Sequence, residues 1–357
     1  MSLLNNTFTK FNTTSEYEAF KVSSGYTKPN VSWIVNENNS KTQPWMPPPL
    51  MSGVVIHKDG EFREVSYDNF NTHYDDIVSS GYTIEGAIAV PSTHTPDGTT
   101  RIISLKYMSC ITPETGSLGV NYIYWGNDNK DIPGLTNHES IAKISNVEGE
   151  TGITSDTKCY IPSDNFKAIQ GTTSCVADDK AAYHSYTGTR YAPSPYVTGD
   201  EPNLLYRMTT DGNALSDFDG SGNTELIVAN ATAQTNWRTD ETITNSTATG
   251  YYPAACCCKR YATSGLPAGN WYLPSAGELG YVMARLKTIN SVLSLINSKS
   301  SGTSTQVTTG NFWTSTECLS SMAIYIYMSQ GLITYDYKDY DKYVRAFAAV
   351  NAKQLLF

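Results

Sequence analysis

Apolar residues Leu279, Val282, Met283, Leu286, Ile289, Leu293 and Ile296 recur at steps of three and four. That period belongs to a helix and predicts one buried stripe about five or six turns long. Ser275 and Glu278 stand in front of it with the spacing of a capping box, in which each side chain satisfies a backbone N–H of the first turn. Pro274 holds the entry extended, and Trp271 and Leu273 are spaced to face one side of the strand-like segment before it. Upstream, "PAACCCKRYAT" (253–263) begins with proline at a first helical position, where the missing N–H costs nothing. "DFDGSGNTELIVANAT" reads as a loop entering a short helix, with Asn223 or Thr224 as N-cap.

Period-two stretches mark strands. "SGVVIHKDGEFREV" (52–65) is strand, Lys-Asp-Gly turn, strand, a β-hairpin signature. "GAIAVPS" and "RIISLKYMS" (101–109) continue the pattern. At the other end "NFWTSTE", "MAIYIYMS", "GLITYDY" and "YVRAFAAV" (343–350) read as four strands, with Ser329-Gln330-Gly331 as a hairpin turn. Residues 110–205 are rich in Gly, Pro, Asn and Asp and read as a loop-rich insertion carrying some strands.

Residues 1–50 differ in kind. They are polar, end in "PWMPPPL", and read as an extended arm with a polyproline spacer. Within the arm, "NVSWIV" (30–35) alternates like one short strand. A lone strand is unstable, so it is expected to pair with another chain. The division predicted is therefore 1–50 as arm and 51–357 as body.

Composition narrows the partners. Charged residues are 17% of the 357 and the net charge is −9, where a globular chain averages roughly 25% charged. Nucleic acid needs clustered Lys and Arg, so it is excluded as a partner, and so is an anionic membrane surface. No apolar run approaches the ~18–20 residues of a membrane span, and "MSLLNNTFTKF" lacks a signal-peptide pattern. The expectation is a chain made and kept in a cytoplasm. Seven cysteines, three of them consecutive at Cys256–Cys258, do not form a disulfide framework.

Taken in order, "DFDGSGNTELI", "YYPAACCCKRY", "WYLPSAGELGY" and "FWTSTE … YVRAF" resemble the C-type-lectin-like modules of bacterial and phage surface proteins. These share a Trp-x-Leu-Pro-Ser-x-x-Glu-Leu helix start and a late Trp-Thr-Ser-Thr-Glu strand. The resemblance covers about 205–350. Segment 51–109 resembles the part before that module in gut-phage structural proteins, and "KPNVSWIVNENN" looks like their N-terminal attachment segment. The nearest relatives would be fibre proteins of crAss-like phages. The resemblance implies an α+β, C-type-lectin-like fold of two helices packed on a twisted antiparallel sheet. It implies a virion protein, a head fibre or capsid decoration first, with a tail-fibre adhesin or a fimbrial tip adhesin as alternatives. Val31, Trp33, Val35 and Trp45 would lie in the capsid-attachment arm, against the major capsid protein or another virion protein. Such fibres are commonly trimeric, so a homo-oligomer is expected, a trimer before a dimer.

Glu201-Pro202-Asn203 matches a lectin sugar triplet but precedes the helices that a calcium loop should follow. Asp217, Asp219, Ser221, Asn223 and Glu225 alternate like half an EF-hand loop, but Val228 stands where the bidentate Glu belongs; a turn and helix cap is the reading kept. Adjacent cysteines on a helix diverge by roughly 100°, which favours buried apolar roles over zinc. His57, His73, His94, His138 and His184 are scattered, Cys318 stands alone, and no catalytic constellation emerges. The expectation is no enzyme, no metal and no cofactor. The 25 tyrosines are the stronger signal. "TYDYKDYDKY" (334–343) places Tyr335, Tyr337, Lys338, Tyr340 and Tyr343 as candidates for binding a host surface glycan or protein. Cross-strand packing is the competing reading, with one row of the alternation inward and one outward.

Overall fold

The hairpin at the start of the body sets the architecture. In the computed structural model β1 (Gly53–Lys58) pairs antiparallel with β2 (Glu61–Ser66), Val54 opposite Val65 and Lys58 opposite Glu61. Asp59 (φ 51°) and Gly60 (φ 83°) make the tight turn; both central residues have the positive φ that matches strand twist. The chain divides into two units, Met1–Pro49 and Leu50–Phe357, and all described residues belong to the second. They are 52–111, 118–120, 122–126, 130–138, 159–160, 190–191, 214, 217–232, 250–308, 310–328, 332–355 and 357. Val31, Trp33, Val35, Trp45, the strand-like 30–35, Glu201-Pro202-Asn203, His184 and the Ser329-Gln330-Gly331 turn lie outside them.

After β2 comes a helix that the strand pattern did not predict, α1 (Tyr67–Ser79). Ser66 caps it, its hydroxyl accepting from the Asn69 N–H at 3.2 Å. Phe70 and Ile77 are its buried residues. β3 (Thr83–Val90) returns beside β1, and β4 (Thr100–Ile103) pairs antiparallel with β3. The strand read at 101–109 thus ends at Ile103. Between 110 and 205 the described elements are short: β5 (Cys110–Ile111), β6 (Leu118–Val120), β7 (Ile123–Tyr124), β8 (Cys159–Tyr160) and β9 (Arg190–Tyr191).

Four further helices follow: α2 (Gly220–Ala229), α3 (Pro253–Arg260), α4 (Ala276–Ala284) and α5 (Leu286–Lys299). Pro253 opens α3 as predicted. In α2 the cap is Asp219, accepting from the Gly222 N–H at 2.9 Å, and neither Asn223 nor Thr224. Tertiary partners claim both of those: Asn223 Nδ2 donates to Asp217 at 2.7 Å, and the buried Thr224 hydroxyl donates to the Leu273 carbonyl at 3.2 Å. The predicted long helix is two, broken at Arg285 (φ −120°, ψ 24°). Its stripe survives the break, since Leu279, Val282, Met283, Leu286, Ile289, Leu293 and Ile296 are all buried.

The end of the chain is β10 (Asn311–Leu319), β11 (Met322–Tyr327), β12 (Leu332–Tyr337), β13 (Asp341–Lys342), β14 (Phe347–Val350) and β15 (Ala352–Gln354). Sheet order is β14-β4-β3-β1-β2-β15 in one sheet and β10-β11-β12-β8-β9 in a second. Only Asn351 separates β14 from β15, yet they occupy opposite edges of the first sheet: β14 is antiparallel to β4, and β15 parallel to β2. Two residues that close in the chain cannot lie a sheet's width apart, because a residue spans at most about 3.6 Å. The sheet has therefore curled until its two edge strands lie on one C-terminal segment. The fold is α+β.

The sequence at 270–281 joins the two hydrophobic clusters of this body. Trp271 and Leu273 pack with Trp125, Trp313, Ile102 and Ala254–Cys258. Tyr272, one residue between them, packs with Leu279, Leu286, Phe312 and Phe347. Period-two alternation sends successive side chains to opposite faces. The Tyr272 backbone pairs with Phe347 in both directions, at 2.8 and 2.9 Å.

Candidate binding surface

The tyrosine-rich segment lies on β12, the turn after it, and β13. Register puts Tyr335 opposite Ile324 and Tyr337 opposite Met322, so both tyrosines share the face that holds Ile324 and Ile326 in the core. Two residues apart, they belong to one row of the alternation, and that row faces the core without burying both. Position along the strand decides instead. Tyr335 is half-buried against the core, while Tyr337, at the last ladder pair, is 46% exposed. Tyr340 is 51% exposed and meets Tyr337 edge-on, centroids 5.8 Å apart at 71°. The Tyr340 N–H to Tyr337 carbonyl bond, 3.1 Å, closes the turn.

Tyr343 is placed otherwise. Its backbone is bonded to β10 on both sides, donating to Asn311 at 2.9 Å and accepting from Trp313 at 3.0 Å. Its ring sits among Tyr122 (4.4 Å), Tyr107 (5.3 Å) and Phe312 (5.4 Å). Tyr122 donates its hydroxyl proton to the Tyr343 hydroxyl at 2.9 Å. That hydrogen bond, with some burial, raises the Tyr343 phenol above its ordinary range.

Lys338 does not belong to an exposed surface. It is 1% exposed, and its ammonium donates to the Ser320 carbonyl (2.7 Å), the Lys130 carbonyl (2.9 Å) and the Glu317 carboxylate. It also lies 4.7 Å from the Trp125 ring centroid. All three ammonium protons are used, which is what a buried ammonium requires. Burial raises the Glu317 carboxyl above its ordinary range, with Lys338 opposing that shift. Lys342 is likewise buried, bonded to Asp336 at 2.6 Å and packed over Tyr325 (4.2 Å) and Trp313 (4.6 Å).

Two apolar neighbours, one exposed and one half-buried, escaped the sequence reading. Leu319 is 37% exposed and pairs with Met322, itself opposite Tyr337. They could not be singled out because Leu and Met in strands normally face a core.

The other candidates take structural places. Helix begins at Gly220 and carries Ser221, Asn223 and Glu225 around its axis, while Asp217 and Asp219 precede it. Asp217 bonds Asn223 and Thr316, Asp219 caps, and Glu225 pairs with Lys259. Cys256, Cys257, Cys258 and Cys318 are buried thiols. Burial pushes the Cys256 thiol up to about 12 and Cys258 well above its usual value. His57, His73, His94 and His138 stand apart on different elements: His57 tilts on Phe62, His73 stacks on Phe357, and His94 lies near Tyr281. A shallow groove of about 550 Å³ runs between α1 and α5, lined by Tyr67, Lys287, Asn290, Ser294 and Gln306. Its polar groups are engaged within the chain, Asn290 with Val307 and Gln306 with Ser294. No helix among the described residues is long and apolar enough to cross a membrane.

Comparison with protein-family models, with curated proteins and with solved structures returns no match.

Proposed function

We propose that the chain is a non-enzymatic structural protein of a phage virion, a head fibre or capsid decoration with a C-type-lectin-like body. Residues 1–50 attach it to the major capsid protein or another virion protein, using Val31, Trp33, Val35 and Trp45, and the protein assembles as a homo-oligomer, a trimer. The body displays the Tyr337–Tyr340 turn toward a host surface glycan or protein.

One observation carries the reading. It concerns the Trp-Tyr-Leu-Pro-Ser-x-x-Glu-Leu stretch on which the resemblance rests. That stretch pairs with a C-terminal strand through Tyr272 and Phe347, then enters a helix through a two-way capping box. A non-catalytic role is supported by the fate of the buried charges. Glu278 is bound by Arg101, Glu317 by Lys338, and Lys259 by Glu225, each bridging separate elements of the scaffold.

Particle incorporation tests this. Full-length protein should co-sediment with purified virions and appear on the capsid in a virion map, whereas 51–357 should be left behind. Absence of the full-length protein from particles would overturn the reading; decoration by 51–357 would overturn the role of the arm. Density on the tail would favour the tail-fibre adhesin.

A further inference from the structure

The stretch 334–343 holds three aspartates and two lysines and looks nearly balanced in charge. Folding removes that balance. Lys338 turns inward to Glu317, and Lys342 turns inward and consumes Asp336. What faces solvent is Tyr337, Asp339, Tyr340 and Asp341. Leu319 extends the apolar part beside Met322 and Tyr337. The flanking charges cancel, since Lys130 and Asp131 are both exposed.

We propose that this turn is a docking surface for a cationic protein partner, one that presents arginine or lysine side chains. The inference rests on the displayed-body reading above and names the chemistry of that same surface. Tyrosine rings attract a cation through the ring quadrupole, Arg more often than Lys; Tyr340 already has the Lys342 ammonium 5.8 Å from its centroid, while Tyr337 is 46% exposed. Two carboxylates on the same turn add Coulomb attraction and, for Arg, two-point hydrogen bonding. Both lysines that could have answered an anionic group are held inside by bonds to carboxylates, and the chain carries −9 overall. An anionic glycan would meet like charge here. A neutral sugar could donate hydroxyl hydrogen bonds to the carboxylates but would leave their charge uncompensated.

The test uses immobilised full-length protein and three probes: an arginine–glycine repeat peptide, a glutamate–glycine repeat peptide and a chitosan oligosaccharide. The arginine peptide should bind, and added salt should weaken it. Tyr337→Ala with Tyr340→Ala, and separately Asp339→Asn with Asp341→Asn, should each weaken binding by roughly fivefold or more. Asp75→Asn with Asp76→Asn removes two exposed carboxylates from α1 and should leave binding unchanged. Failure of the arginine peptide to bind would overturn the proposal. So would an equal loss in the α1 variant, which would mean diffuse attraction to an acidic chain. Chitosan binding at the turn in place of the peptide would assign the surface to a glycan and overturn it as well. Incorporation of the same variants into virions is scored separately: variants that decorate particles while wild type ignores the arginine peptide sink this inference alone.

Discussion

Replacing Glu278 by alanine should be among the most damaging single changes in the body. Glu278 is fully buried and takes four hydrogen bonds: from Arg101 Nε (2.8 Å), the Tyr272 hydroxyl (2.9 Å), the Ser275 N–H (3.0 Å) and the Ser275 hydroxyl (3.2 Å). It thus serves the α4 capping box, holds β4 through Arg101 and anchors the Tyr272 junction. Alanine would leave a mostly buried guanidinium with Asp97 as its remaining carboxylate, and would orphan the Tyr272 hydroxyl. Breaking one side of a buried pair costs about 3–5 kcal/mol; the orphaned donors overlap with that figure and are not added to it. Against a total stability of about 5–15 kcal/mol, the loss is large. At roughly 2–4 °C per kcal/mol for a chain this size, the melting temperature should fall by about 6–20 °C. The assay is a thermal melt with a urea titration at constant m-value, and Arg101→Met completes a double-mutant cycle. A melt within about 2 °C of wild type, or additive losses in the cycle, would refute the network as described. The pH dependence has a definite sign. Burial raises the Glu278 carboxyl above its ordinary range, with Arg101 opposing. The folded state then holds this proton more tightly than the unfolded state. The stability this group contributes is complete below the unfolded-state value and falls as pH rises through the folded-state value. Glu278→Gln cannot titrate, so its stability relative to wild type should improve as pH rises across that window.

Gly277→Ala offers a contrast with simple propensity. Alanine normally stabilises a helix interior, but a Cβ here would lie 2.4 Å from the Phe218 ring and 2.5 Å from the Asp217 carbonyl; a loss of about 1–3 kcal/mol by urea titration is expected, and a gain would contradict the packing. Cys256 and Cys258 should resist alkylation in native protein and react on unfolding, because burial holds their thiols protonated; peptide mapping by mass spectrometry reads this, and rapid native labelling would contradict it. Tyr337→Ala should shift stability by no more than about 0.5 kcal/mol, whereas Tyr343→Ala removes a ring packed on Phe312 and Tyr107 and should cost about 3 kcal/mol or more. Equal melts for the two would refute the division of the tyrosines.

What the sequence determined by itself was local and periodic. The capping box at Ser275 and Glu278, proline opening α3, the Asp59-Gly60 hairpin and the buried stripe on α4 and α5 depend on neighbours within a few residues, so each was legible. α1 was legible in principle. Tyr67, Phe70, Tyr74 and Ile77 follow a three-four-three step, but few apolar residues mark it and Ser66 is an ordinary cap. The break at Arg285 was not legible, because one residue of non-helical φ/ψ leaves the period intact on both sides. Tertiary structure decided the rest. Closure of the first sheet on residues 347–354 depends on pairings some 250 residues apart, which no local pattern encodes. The cap of α2 moved to Asp219 because contacts from Leu273 and Ser315 claimed Thr224 and Asn223. The candidate surface changed most. Alternation says which side chains share a face, but which face is covered depends on what packs there. Glu317, Trp125, Trp313 and Tyr325, distant in sequence, drew Lys338 and Lys342 inward. A tract with nearly equal charges was left with two exposed tyrosines and two exposed carboxylates.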